Sequence, residues 1–160
     1  MTKWNTAIYL RLSNDDGDKS ESNSITNQKI LLKEYAKNTE NIKVYNYYID
    51  DGYSGTTFNR PDFQRLINDI TENKVNCIIV KDLSRLGRNY LEVGSYLEKF
   101  FPIHNVRFIA VNDNIDSYKD PASLDSVIVP FKNLMNEQYA KDISNKVRSV
   151  LDIKKQLIEF

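Results

Sequence analysis

The chain has 160 residues, 41% of them hydrophobic, which suits one folded domain with a core of its own. Its 22 lysines and arginines equal its 22 aspartates and glutamates, so any affinity for nucleic acid must come from local clusters of charge. No apolar run approaches the roughly 20 residues that cross a bilayer, and a single cysteine excludes an internal disulfide. We therefore expect a cytoplasmic protein without a membrane partner.

Short apolar, β-branched runs alternate with segments of helical period along the first two thirds of the chain. Strands are predicted at 6–12, 42–49, 75–80 and 106–111, and helices at 24–38, 61–72 and 90–101. This alternation predicts an α/β fold with a mostly parallel central sheet flanked by helices on both faces. Ligands of such sheets bind outside the carboxyl ends of the strands, so segments that follow different strands are expected to converge there.

Three connections are rich in polar and turn-forming residues: 14–23, 50–60 and 112–120. The first two follow the first and second strands, where mobility would allow closure around a substrate. Solvated turns without such a role would have the same composition. Cys77, within an apolar run, is predicted to be a buried strand thiol, and His104 to lie at a helix end. With one histidine and one cysteine, we expect neither a metal site nor another cofactor.

The last forty residues change in character. Residues 123–129 are predicted to form a short helix, and Pro130 to begin a new one, because proline fits the first turn of a helix better than its interior. From Phe131 to Ile158, apolar residues recur mostly every three or four positions, which predicts one long amphipathic helix of about seven to eight turns.

This helix is longer than a domain of this size can cover. Part of its apolar stripe is therefore expected to meet another subunit or DNA, although packing wholly on its own core is the alternative. The chain stops at Phe160 without a glycine cap or a helix breaker, so we expect it to be a fragment of a longer protein.

A serine and three arginines are placed to meet at the predicted sheet edge. Ser13 follows the first strand, two residues after Arg11, so both side chains point the same way, and Arg85 and Arg88 follow the third strand. A carboxylic ester or peptide substrate would need a base such as histidine, and His104 lies elsewhere. A phosphodiester needs cations instead, and the planar guanidinium matches phosphate oxygens. The set indicates nucleophilic attack on a phosphodiester.

Three motifs occur together and in order: Tyr9-Leu10-Arg11-Leu12-Ser13, then Asp51-Gly52-Tyr53-Ser54-Gly55 followed by Arg60-Pro61, then Lys81-Asp82-Leu83-Ser84-Arg85-Leu86-Gly87-Arg88. Together they resemble the catalytic domain of serine recombinases, the resolvase and invertase superfamily. Two segments, Arg11-Leu12-Ser13-Asn14-Asp15-Asp16 and 136–144, resemble most the large serine recombinases, which are the transposases and integrases of mobile elements. The resemblance spans nearly all of the chain.

The resemblance implies a site-specific DNA recombinase that needs neither metal nor ATP. Ser13 would attack the scissile phosphate, forming a 5′-phosphoserine ester and releasing a 3′-hydroxyl, while Arg11, Arg85 and Arg88 bind the phosphate. Strand exchange and religation would then integrate or excise a mobile element. Further active-site positions of the family match Gln28, Arg60 and Glu137. Tyr9 matches an aromatic position that we interpret as packing support.

The resemblance also implies partners and a division of the chain. The partners would be double-stranded recombination sites and further copies of the chain, as a dimer and then a synaptic tetramer, with no small-molecule substrate. Residues 1–130 would form the catalytic domain, and 131–160 the helix that leads to DNA-binding domains. The protein would act in the bacterial cytoplasm, on the nucleoid when bound to DNA.

The sequence departs from the family pattern at two positions. Ser84 and Gln138 stand where small resolvases have an aspartate and an arginine. A carboxylate at the first position therefore cannot be the general base, and the base is unassigned, with Asp82 as a nearby candidate. Two other classes stay open: a non-catalytic α/β DNA-associated regulatory module, with Ser13 only ending a strand, and a metal-dependent nuclease.

Overall fold

The computed structural model describes residues 3–12 and 24–158. Ser13 and the polar loop 14–23 lie outside the described residues, and the predictions that fall on them stay predictions. The elements in chain order are β1 (Trp4–Leu12), α1 (Ile25–Lys37), β2 (Ile42–Asp51), α2 (Pro61–Thr71), β3 (Cys77–Val80), α3 (Leu83–Leu86), α4 (Tyr90–Ser95), a π-helical turn (Tyr96–Phe100), α5 (Phe101–Ile103), β4 (Arg107–Ala110), β5 (Ile115–Asp116) and α6 (Pro121–Ile158).

The sheet has the strand order β2-β1-β3-β4-β5. The first four strands are parallel, which confirms the predicted mostly parallel α/β sheet. β5 pairs antiparallel with β4 and was predicted as part of a connection. Two residues are too few to give an alternating pattern, so the sequence carries no strand signal there.

Alternate residues of the strands supply two cores, one on each face of the sheet. On one face Ile8 and Cys77 pack with Leu32 of α1. On the other, Tyr9 and Ile78 pack with α2 and with the helices that follow β3. Helices therefore cover both faces, as predicted. Cys77 is the expected buried thiol, and burial raises its pKa to about 12.

The helix predicted at 90–101 is a run of three pieces rather than one regular helix. α4 gives way to the π-helical turn, whose end is marked by the bond from Phe101 N to Tyr96 O. Pro102 has no N–H to donate to the turn before it, which favours this irregular hydrogen bonding. His104 caps the run, with its Nδ1 2.9 Å from Phe100 O, which confirms the predicted helix-end position.

α6 begins at Pro121, and the prediction of a helix start at Pro130 is wrong. The helix runs through Pro130 to Ile158. Ile128 is buried in the core, and Leu124 and Val127 pack against it, so tertiary contacts fix the segment before the proline as part of the same helix. None of the helices in the described part of the chain is long and apolar enough to cross a membrane.

Candidate active site

The guanidinium of Arg11 joins β1 to the segments that follow β2 and β3. Arg11 lies near the end of β1 and is fully buried. Its Nε donates to Arg85 O at 3.2 Å, its Nη1 to Tyr53 O at 3.1 Å and its Nη2 to Ser84 O at 2.6 Å. These acceptors follow β2 and β3, so the predicted convergence at the carboxyl edge of the sheet occurs.

Two predicted site residues bind the backbone just ahead of Ser13. Arg85 Nη1 donates to Arg11 O at 3.2 Å, and Gln28 Nε2 donates to the same oxygen at 3.3 Å. Gln28 lies on α1 and is fully buried, and Arg85 is also buried. These bonds hold the carbonyl of Arg11, which precedes Ser13 by two residues in the sequence.

Arg88 lies beside this group but in a different environment. α3 ends at Leu86, so Arg85 and Arg88 do not share a helix face; Arg85 is buried, whereas Arg88 is exposed. The backbone N of Arg88 donates to Gly55 O at 2.7 Å, which holds Arg88 against the loop after β2. The structure therefore brings Arg11, Arg85 and Arg88 into one region with different access to solvent.

Burial and the neighbouring arginines make it costly for Arg11 to carry its charge. Burial first, then the positive charges of Arg60 and Arg85 and, to a smaller extent, of Arg88, together lower the pKa of Arg11 to about 10. Arg11 is still protonated at neutral pH. A buried group of like charges in this state is stabilised by an anion, which is the electrostatic condition for a phosphate site.

Arg60 is buried and links neighbouring elements through hydrogen bonds, so it is not accessible from solvent. It lies just before α2 and is fully buried, with its guanidinium 4.7 Å from the centre of the Phe58 ring. Its Nη1 donates to Tyr9 Oη at 2.9 Å and to Arg85 O at 3.2 Å, and its Nη2 donates to Leu86 O. Arg60 thereby ties α2 to α3, where Arg85 lies.

Asp50 is a site residue that the sequence analysis missed. It is buried at the end of β2, where Oδ2 accepts from Tyr9 Oη at 2.8 Å and from Phe63 N at 2.9 Å, while Oδ1 accepts from Asp62 N at 3.0 Å. Asp50 therefore caps α2 from a distant position in the sequence. Pro61 indicates from the sequence that α2 begins there. No local pattern indicates that the carboxylate of Asp50, on the other side of the loop, caps the helix.

Tyr9 does more than the packing support that we predicted from the resemblance. Its hydroxyl donates to Asp50 and accepts from Arg60, so Tyr9, Asp50 and Arg60 form one buried network. Burial raises the pKa of Tyr9, which keeps its hydroxyl protonated and able to donate.

The remaining predicted residues differ in their relation to this group. Asp82 lies beside it, with Oδ2 3.9 Å from Arg85 Nε and Oδ1 hydrogen-bonded to Ser84 Oγ. Glu137 is exposed on α6, and within the described residues no hydrogen bond or ion pair joins it to Arg11, Arg60 or Arg85. Residues 3–12 and 24–158 contain no group of three or more acidic, histidine or cysteine side chains that could hold a metal.

Buried arginines thus gather at the carboxyl end of the first strand of an α/β sheet. Comparison with known proteins specifies the class. The family described as resolvase, N terminal domain, matches residues 6–157. The chain therefore belongs to the resolvase family of serine recombinases. No curated protein matches it significantly.

Solved structures agree with this assignment. The N-terminal catalytic domain of TP901-1 integrase is 30% identical, with a TM-score of 0.70, covering 84% of this chain and 98% of that one. A resolvase family site-specific recombinase from Streptococcus pneumoniae is 29% identical, with a TM-score of 0.65, covering 91% and 99%. The first open reading frame of transposon ISC1904 from Sulfolobus solfataricus P2 is 25% identical, with a TM-score of 0.51, covering 84% and 88%.

Proposed function

We propose that this chain is the catalytic domain of a site-specific DNA recombinase whose nucleophile is Ser13. The observation that carries the proposal is the pair of bonds from Arg85 and Gln28 to Arg11 O, at 3.2 and 3.3 Å. These bonds place a buried cationic group against the backbone that leads into the serine. The single histidine of the sequence, His104, lies at the end of α5, and arginines suit a phosphodiester better than a carboxylic ester.

In the proposed reaction, Ser13 Oγ attacks the phosphorus of a DNA phosphodiester. A bond from Oγ to phosphorus forms, the bond from phosphorus to O3′ breaks, and a 5′-phosphoserine ester and a 3′-hydroxyl result. The serine proton passes to a base and O3′ takes up a proton, so the charge balances. Religation is the reverse attack by a 3′-hydroxyl, and it needs neither ATP nor metal because the ester keeps the bond energy.

Arg11, Arg85 and Arg88 would stabilise the charge that develops on the phosphoryl oxygens. By analogy with oxyanion holes, each well-placed donor contributes about 2.7 to 4 kcal/mol. Asp82 is a candidate base because its carboxylate lies 3.9 Å from Arg85 Nε, within the same group. Gln28 and Arg60 would act by positioning, since both are fully buried and bind the backbone around the arginines.

The three arginines would meet a phosphate in sequence. Arg88 is exposed and can be reached first, whereas Arg11 is fully buried and donates to Tyr53, Ser84 and Arg85 carbonyls. Hydrogen bonds at catalytic sites are often rearranged only when the substrate binds. We therefore propose that a bound phosphate takes over Arg11 donors from these carbonyls while the guanidinium keeps its place beside Gly55.

We propose double-stranded recombination sites and further copies of the chain as partners. Ile143, Val147, Val150 and Leu151 form an exposed apolar stripe on α6, each about half exposed. A second α6 would cover this stripe in a dimer, and two dimers would form the synaptic tetramer. Glu137 would take its place in the site within such an assembly. Integration or excision of a mobile element, in the cytoplasm of a bacterium and on its nucleoid, is the proposed biological setting.

Trapping of the covalent intermediate tests the proposal. The full-length protein is incubated with nicked DNA that spans the ends of its element, and adducts that resist denaturant are resolved by electrophoresis. The wild type and Ser95→Ala, which changes an exposed serine of α4, should form the adduct, and Ser13→Ala should form none. Chelator should leave the yield unchanged.

Two other results would each point to a different class of protein. DNA retained by wild type without an adduct would favour the regulatory module. Cutting that stops in chelator and persists in Ser13→Ala would favour a metal-dependent nuclease.

A further inference from the structure

Two arginines of the site approach the same glycine. Gly55 is buried in the loop after β2, and a Cβ atom built on it would lie 2.7 Å from Arg11 Nη2 and 3.1 Å from Arg88 Cγ. The first distance is too short for any real Cβ contact, so a side chain at this position requires the guanidinium of Arg11 to move.

The lack of space around residue 55 explains why it is a glycine, whereas its backbone conformation does not require one. Among the glycines of the described residues, only Gly52 has a φ in the left-handed region. Gly55 therefore has a backbone conformation that residues with side chains can adopt. The atoms that an added Cβ would meet most closely, Arg11 Nη2 and Cζ, belong to the end of a side chain and not to the backbone, so the guanidinium is what has to move.

Gly55 also fixes the position of the second arginine. Its carbonyl accepts from Arg88 N at 2.7 Å, and the carbonyl two residues earlier, Tyr53 O, accepts from Arg11 Nη1 at 3.1 Å. The short stretch from Tyr53 to Gly55 thus holds a buried arginine of β1 and an exposed arginine after α3 in a common arrangement.

We propose that Gly55 is a positioning residue of the active site: its missing side chain leaves the space that the Arg11 guanidinium occupies between the loop and Arg88. The proposal rests on the proposed phosphoryl transfer at Ser13. It predicts that the smallest side chain at residue 55 displaces Arg11 without unfolding the domain. Because misplacement by about 1 Å can cost roughly a hundredfold in rate, the chemistry should suffer more than the binding of DNA.

The first measurement is independent of catalysis. In the labelled chain, NMR follows the Arg11 Nε–H group, assigned by its loss in Arg11→Lys. Its bond to Arg85 O and its burial should slow hydrogen exchange in wild type. Gly55→Ala should shift this signal and speed its exchange by about tenfold or more. The matched control is Gly94→Ala, since an added Cβ at Gly94 meets nothing within 4 Å.

The second measurement is the rate of adduct formation by the full-length protein over a range of DNA concentrations. We expect Gly55→Ala to lower the rate at saturating DNA by about tenfold to a hundredfold, with the half-saturating concentration nearly unchanged. Gly94→Ala should behave as wild type. A change confined to the half-saturating concentration would contradict the proposal, because it would assign Gly55 to DNA binding.

The outcomes separate this inference from the proposed function. An unchanged Arg11 signal in Gly55→Ala overturns the inference whatever the cleavage result, and a shifted signal with an unchanged rate overturns the claim that its position matters for chemistry. Absence of an adduct in wild type contradicts the proposed function and, with it, a role for Gly55 in catalysis. The NMR result still decides whether Gly55 positions Arg11. Should Gly55→Ala be too unstable to study, its loss of melting temperature should be smaller in an Arg11→Lys background than in wild type, because the lysine lacks the Nη2 atom that the added Cβ would meet. An equal loss in both backgrounds would contradict the inferred contact.

Discussion

At the end of β1, single residues carry contacts that reach across the molecule. The hydroxyl of Tyr9 is the clearest case, because it links Asp50 at the end of β2 to Arg60 at the start of α2, at 2.8 and 2.9 Å. Both partners keep another hydrogen bond when the hydroxyl is removed, through Phe63 N and Arg85 O. Loss of the hydroxyl therefore weakens the network without leaving a bare buried charge.

We predict that Tyr9→Phe lowers the free energy of unfolding by about 1 to 3 kcal/mol, the range for a buried hydroxyl with two partners. Unfolding in urea, followed by fluorescence, measures the change. Tyr45→Phe is the matched control, since Tyr45 is 47% exposed and should change stability by no more than about 0.5 kcal/mol. Equal effects of the two substitutions would contradict a role for the Tyr9 hydroxyl in the network.

The same contacts explain which residues could be predicted from the sequence. The three arginines, Gln28 and Arg60 were expected at the site from motifs and from the resemblance. The side chains of Arg11, Gln28, Arg60 and Arg85 make hydrogen bonds to backbone carbonyls there. Asp50 and Gly55 were missed. Their importance depends on which atoms lie opposite them in space, and neither local propensity nor hydrophobic period records that information.

At the scale of elements, periodic signals predicted the parallel strands and their helices because burial on one or both faces imposes the period. Sequence predictions failed where contacts between distant parts of the chain outweigh local sequence preferences. β5 is too short to have a period, and its pairing with β4 comes from the chain turning back. Pro130 follows the rule for a helix start, but the core contacts of Ile128 on the preceding turn keep α6 continuous.

Pro130, in the interior of α6, lowers the stability of this helix. Pro130 has no N–H to complete the helical hydrogen bonds, and proline costs about 3 kcal/mol relative to alanine inside a helix. We predict that Pro130→Ala raises both the helical signal in circular dichroism and the melting temperature. The control is Asn136→Ala, at an exposed position of the same helix, which should raise the free energy of unfolding by only about 0.5 kcal/mol. A lower melting temperature for Pro130→Ala would show that the proline ring contributes packing that outweighs the missing bond.

At the scale of the whole molecule, the arginines of the site are a local concentration of positive charge. The net charge of the chain is zero, yet the carboxyl end of the sheet gathers Arg11, Arg60, Arg85 and Arg88. α6 carries exposed apolar side chains, among them Ile143, Val147, Val150 and Leu151. Neutral composition and a local cationic site are therefore compatible, because the anion that the site would bind is small compared with the molecule.

The exposed stripe of α6 gives the last prediction. Ile143, Val147, Val150 and Leu151 are spaced by three, four or one residues along one face and are 44 to 53% exposed. Covering such a side chain completely contributes about 1.5 to 3 kcal/mol, so removing one from a self-complementary interface acts on both copies. Val147→Lys should weaken self-association, measured by sedimentation velocity, by about a hundredfold or more.

Asn145→Lys is the control for this prediction because it introduces the same charge at an exposed position two residues away. Two residues correspond to about 200° around a helix, which places residue 145 on the opposite face from residue 147. It should leave self-association nearly unchanged. If both substitutions weakened association equally, repulsion between added charges would be the cause; if neither did, the stripe would not be the surface through which copies of the chain meet.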